Sequence, residues 1–234
     1  MAAQVDALIA HLTRALRERL VAVYTYGSGF ARGPKAAQVR MLVLVDALDA
    51  AVLDALLPAN AAARRTGIHL RLDTAAHVLR CADVLPVFAL DLLETRRLIH
   101  GTDALTMLAV DPEHLVLRLE QALRVAHRRL LQGYLDAEGD AGIARHLRAL
   151  VRRVLPVLRG LALVHGLELP DSRTPQATVA TVIGRICPSD RALWERLIRF
   201  GDFLDTLDHE ALIALYGDAL AGFERLVVAV DRRD

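Results

Sequence analysis

The sequence predicts an α+β protein in which a small α/β domain, residues 1–105, precedes an all-helical bundle domain, residues 111–234. Two short, largely apolar runs rich in Val lie within the first 45 residues, and Gly27-Ser28-Gly29 ends the first of them. Such runs read as buried strands and the glycines as a turn. Beyond Asp111-Pro112 the apolar spacing becomes helical almost throughout, with Asp111 placed as N-cap and Pro112 as the first helical residue. Ala, Leu, Val and Arg dominate, with one Trp and a single lysine, Lys35, a composition that favours helices.

In chain order, Val5, Leu8, Ile9, Leu12, Leu16 and Leu20 recur at helical spacing, so residues 4–20 are expected to form an amphipathic helix. Residues 21–26 then form a strand, and residues 39–45 a second one across the loop from Phe30 to Gln38. Asp46 is placed as a helix N-cap ahead of Ala47, and the helical stripe Ala50, Leu53, Leu56, Leu57 is expected to break at Pro58. Residues 68–72 read as a strand, Thr74 as the cap of a short helix through Arg80, and residues 87–93 as a further strand, followed by a helical turn to His100-Gly101. The domain boundary falls near residues 102–112. Helices are then expected over 113–135, 141–165, 175–186, 189–206 and 209–230, with a kink at Pro156.

The net charge of +1 offers no global field for nucleic acid or an acidic membrane. Cys81 and Cys187 are far apart and suggest neither a disulfide framework nor a zinc site. Asp6, His11 and Arg14 interrupt any N-terminal apolar stretch, and charges break every apolar run before ~18 residues, so a soluble cytoplasmic protein is the expectation and no membrane partner is assigned.

The segment Val23-Tyr24-Thr25-Tyr26-Gly27-Ser28-Gly29-Phe30-Ala31-Arg32-Gly33 resembles the first motif of the nucleotidyltransferase superfamily, a strand running into Gly-Ser with Ala-Arg-Gly shortly after. The likeness extends to Ala82-Asp83-Val84-Leu85-Pro86, Ala89-Leu90-Asp91-Leu92 and Leu98-Ile99-His100-Gly101-Thr102-Asp103, and to Leu117-Arg118-Leu119-Glu120 and Leu130-Leu131-Gln132-Gly133-Tyr134, as in a bacterial subgroup with a helical C-terminal domain. The resemblance implies a polymerase-beta-like fold with a small mixed sheet, and phosphate binding at Gly27, Ser28 and Gly29, where backbone N–H groups free of bulky side chains form an anion nest.

It also implies a second strand opening Ser-Asp-x-Asp, whose two carboxylates hold a divalent metal. Here the segment is Ala37-Gln38-Val39-Arg40-Met41-Leu42-Val43-Leu44-Val45, with Gln38 and Arg40 at the acidic positions. An arginine has the wrong sign and no acceptor lone pair. Loss of both ligands removes several powers of ten from a metal-assisted transfer. Asp91 is the candidate for the family's third acid, and Arg32 and Arg40 are candidates to bind phosphate directly.

Elsewhere, Arg145, Arg148, Arg152 and Arg159 fall near one helical face. Residues 115–165 hold nine Arg against four acidic residues, a local surplus that suits RNA, nucleotide phosphates or an acidic partner and equally a solvated face. No His-Glu-x-x-His spacing occurs, and no metal is assigned. The resulting expectation is a nucleotidyltransferase-like protein without transfer activity or catalytic residues. It would bind ATP or another nucleotide, without magnesium or another cofactor, or a partner macromolecule, at the Gly27-Ser28 cleft. Two other classes stay open: a working transferase that moves a nucleoside monophosphate to a small molecule or protein through displaced carboxylates, and a helical dimerisation or regulatory module.

Overall fold

The computed structural model describes residues 2–27, 39–169 and 174–231. Ser28, Gly29, Arg32 and Gln38, and with them the loop from Phe30, lie outside the described residues. The chain divides into two compact units, Met1–Val110 and Asp111–Asp234.

In the first unit α1 (Ala2–Leu16) leads through a 3-10 turn to β1 (Leu20–Tyr26), followed by β2 (Val39–Val45), α2 (Ala50–Arg65), β3 (Ile68–Thr74), α3 (Ala75–Arg80), α4 (Pro86–Thr95) and β4 (Arg97–Gly101). The sheet is mixed and small: the strand order is β3-β2-β1-β4, with β2 parallel to β3 and β1 antiparallel to both β2 and β4. Both faces are covered, which is why β2 reads as apolar at every position but Arg40. Val39, Met41, Val43 and Val45 pack with Leu8, Leu12, Leu16, Val52 and Leu56 on the α1 and α2 side. Leu42 and Leu44 pack with Tyr24, Tyr26, Val78, Ala89 and Leu92 on the other. The period of two therefore turns Arg40 toward the α4 face.

Four expectations are corrected. Residues 87–93 are helix, not strand: Pro86 occupies the first helical position of α4, and Ala89, Leu90, Asp91 and Leu92 are buried together. Periodicity cannot separate a buried strand from a buried helix in so short an apolar run. The edge strand β4 stands where a helical turn was expected, paired to β1 by its backbone. Asp46 does not cap α2; Asp49 does, accepting from the Val52 N–H at 2.9 Å, while Asp46 binds Arg19. Finally, α2 runs through Pro58 to Arg65. Pro58 lies on the exposed face, opposite the buried Val52, Leu56, Ala59 and Ala63, so the carbonyl it leaves unpaired is on the solvent side of the helix.

The second unit consists of α5 (Pro112–Leu135), α6 (Gly139–Val164), α7 (Pro175–Ile186), α8 (Arg191–Ile198), α9 (Phe200–Phe203) and α10 (His209–Asp231). Asp111 caps α5 through the Glu113 N–H, with Pro112 first in the helix. The predicted 189–206 helix is instead broken into two 3-10 turns with α8 and α9 between them. From Val154 to Ala162, α6 is buried at every position except Pro156. Arg159 is consequently fully buried and not part of a basic surface, whereas Arg145 is exposed and Arg148 and Arg152 are half-buried. A helix surrounded by neighbours has no solvent face to give an arginine. Gly160 lets Leu119 of α5 pack close, since a Cβ there would come within 2.5 Å of the Leu119 Cδ2. Among the described residues no helix is long and apolar enough to cross a membrane.

Tyr24 ties β1 to the segment after β4. Its hydroxyl donates to Asp103 Oδ1 at 2.8 Å and accepts from the Ala104 N–H at 2.8 Å. Burial, reinforced by the hydrogen bond to Asp103, pushes this phenol up to about 12. A raised folded-state value favours the neutral form, so its contribution is complete below pH ~10 and is lost as pH rises toward ~12, on the order of 2 kcal/mol. Urea midpoints followed by circular dichroism should fall over that range in the native chain, and fall less in Tyr24→Phe. An identical fall in both would exclude this origin.

Candidate functional site

β1 runs into Gly27, which holds φ +82°, a left-handed conformation that glycine adopts without steric cost. A side chain here would start 3.6 Å from Arg40 Cδ, from an Arg40 guanidinium nitrogen and from Asp91 Oδ2. The turn, the second strand and α4 therefore converge on one place. Arg40 is brought there by antiparallel pairing with Tyr26, and Asp91 by the buried face of α4.

The Arg40 guanidinium lies 3.7 Å from Asp91 Oδ2, with the arginine side chain about one-third exposed and the carboxylate 4% exposed. That separation is an ion pair but too long for a hydrogen bond. The Gly27 N–H donates to Thr95 Oγ1 at 2.7 Å, and the Thr95 hydroxyl donates to the Asp91 carbonyl one turn back along α4. The last turn of α4 thus anchors the start of the loop. It also occupies the Gly27 N–H, so Gly27 contributes space and backbone direction rather than a free donor.

Tyr26 and Phe88 meet edge to face at 5.9 Å between ring centroids, and the Arg71 guanidinium carbon sits 3.7 Å from the Phe88 centroid. Burial raises the Tyr26 phenol, while Arg40 and Arg71 draw it back down. Of the residues expected at the site, Gly27, Arg40 and Asp91 are brought together; Ser28, Gly29 and Arg32 lie outside the described residues. Thr95, Phe88 and Arg71 were not anticipated. Arg71 carried a signal, since His69, Arg71 and Asp73 alternate with Ile68, Leu70 and Leu72, the pattern of a strand with one polar face.

No family model matches the sequence, and none of the curated proteins does. Among solved structures the chain is similar to the spectinomycin adenyltransferase from Enterococcus faecialis, crystallised with ATP and spectinomycin. The TM-score is 0.62 at 12% identity, over 97% of this chain and 99% of that one. The chain has a nucleotidyltransferase fold. Within a nucleotidyltransferase fold the acidic second strand implies a divalent metal, and the described residues here do not fit one. Arg40 presents donors only, Asp91 faces that guanidinium, and among the described residues no three His, Cys, Asp or Glu side chains cluster as a ligand set.

The Thr95 link is directly testable. Thr95→Val removes the acceptor of a buried N–H and should destabilise by ~1–3 kcal/mol, whereas Thr95→Ser should restore most of it. Chemical denaturation of the three proteins decides the point; equal stabilities would mean that water takes over the bond.

Proposed function

We propose that the chain binds the phosphate end of a nucleotide at the Gly27 turn without a divalent metal, and that it transfers no nucleotidyl group. The observation that carries the reading is the Arg40 and Asp91 ion pair beside the Gly27 turn, a cation at the strand position where the resemblance implies a metal-binding acid. A guanidinium supplies fixed positive charge and several N–H donors, which suit phosphate oxygens. Its attachment to Asp91 is loose enough to leave donors for a ligand. Ser28, Gly29 and Arg32, next along the chain, would complete the phosphate contacts. ATP is the first nucleotide to try, because the structurally similar adenyltransferase was crystallised with it.

A single guanidinium does not reproduce what two carboxylates and a metal do in phosphoryl transfer. The metal neutralises charge that develops on the leaving group and aligns the attacking atom. Arg40 supports ground-state binding and offers no base for an acceptor hydroxyl.

Calorimetric titration with ATP tests this. Binding should be equal in magnesium and in EDTA, and Arg40→Ala should weaken it by roughly tenfold or more, the worth of one charge-assisted hydrogen bond. Ser28→Trp should abolish it by filling the turn. Pyrophosphate release from ATP in magnesium with candidate acceptors would instead establish a working transferase. Absence of ATP binding in both buffers would leave a helical dimerisation or regulatory role, which sedimentation would then address.

A further inference from the structure

A second cation faces the same cleft. In β3, Ile68 packs in the core on the α1 and α2 side, with Leu70 and Leu72 against it. His69 and Arg71 alternate onto the opposite face, in register with Arg40 and Leu42 of β2. Asp73, on that face too, is buried and already engaged, with His77 Nδ1 at 2.6 Å and the Thr74 N–H at 2.9 Å. Arg71 is held differently. Among the described residues no carboxylate lies within ion-pairing distance of it, and its guanidinium carbon sits over Phe88, 3.7 Å from the ring centroid.

Stacking on an aromatic face orients a guanidinium without neutralising it, in contrast to pairing with a carboxylate. Phe88 is itself placed by Tyr26, the residue that pairs with Arg40 across the sheet. Tyr26 registers both cations, because Arg40 and Arg71 each counter the effect of burial on its phenol. Two guanidinium groups therefore flank one phenol beside the Gly27 turn, and the single carboxylate seen among them, Asp91, is buried against Arg40. The balance of these three groups is one positive charge.

Resting on the metal-independent reading above, we propose that Arg71 is a second phosphate-holding residue of the Gly27 cleft. Paired with Arg40, it makes the site selective for a chain of two or more phosphates, as in a nucleoside diphosphate or triphosphate, over a single phosphate. A polyphosphate concentrates negative charge that magnesium ordinarily offsets. Two arginines on neighbouring strands of one sheet face offset it with fixed charge and forked donors instead. A lone phosphate is served by Arg40 alone, so Arg71 adds to affinity only when a second phosphate is present.

The test is calorimetry on the full chain in EDTA with ATP, ADP and AMP, comparing the native protein with Arg71→Gln, Arg71→Lys and Phe88→Leu. The native chain should prefer ATP to AMP by about tenfold or more, and Arg71→Gln should remove about that factor for ATP and ADP with AMP changed by roughly twofold at most. Phe88→Leu keeps the charge but loses its platform, and Arg71→Lys keeps a charge without the planar fork, so both should show a smaller loss confined to ATP and ADP. If Arg71→Gln does not fold by circular dichroism, these two variants decide by the same ratio. Unchanged ATP affinity in the Arg71 variants, with loss in Arg40→Ala, overturns the role of Arg71 and leaves the cleft reading standing. Equal losses for ATP and AMP, or no native preference between them, overturn it as well. No binding of any of the three by the native chain sinks the cleft reading itself, and Arg71 with it.

Discussion

The first unit depends on burying β2 on both faces while it is hydrogen-bonded on both edges. Parallel pairing to β3 and antiparallel pairing to β1 leave its backbone no freedom of register. A slip by one residue would exchange Val39, Met41, Val43 and Val45 with Arg40, Leu42 and Leu44, driving the arginine into the α1 and α2 core. Hydrophobic burial thus aims Arg40 at α4, and the electrostatics of the site follow from that direction. An arginine is tolerated in such a strand only near its end, where its head group escapes the apolar layer.

The helix α4 completes the site from the other side, and one helix serves two purposes. Its buried face brings Asp91 to Arg40 and Phe88 to Tyr26 and Arg71, while Thr95 in its last turn takes the Gly27 N–H. The left-handed turn, the ion pair and the aromatic contact therefore share one rigid support. A site mounted on packed elements holds its geometry better than one carried by loops alone. The same packing separates what the backbone of the turn fixes from what the side chains of the cleft decide. The positive φ of Gly27 belongs to the backbone, whereas the side chain of Arg40 sets the charge beside it from within the paired strand.

Helix packing orders the second unit through α6. Its C-terminal half is enclosed by neighbours, so amphipathic logic holds for its first half and fails for its second. Small residues set the closest approaches, with Gly160 against Leu119 and Gly133 against His146. Polar links join particular helices: Tyr216 donates to the Leu130 carbonyl at 2.6 Å, and Arg225 clasps Asp190 with hydrogen bonds of 2.7–3.0 Å. Such bonds fix the mutual position of helices whose apolar faces alone would tolerate sliding.

The sequence by itself determined β1 and β2, the N-caps at Thr74 and Asp111 and the long helices of the second unit, because each rests on local signals: β-branched runs, capping side chains and unbroken 3.6-residue spacing. It also determined that Arg40 occupies the second strand and that Gly27 ends the first. Tertiary structure decided what local signals left ambiguous. The apolar run around Asp91 became helix because Pro86 starts it and the sheet face needed a covering layer. Residues 97–101 became a strand because the free edge of β1 offered hydrogen bonds. Only the fold could bring Asp91, Thr95, Phe88 and Arg71 to the Gly27 turn, since their meeting depends on pairing and packing between segments distant in sequence.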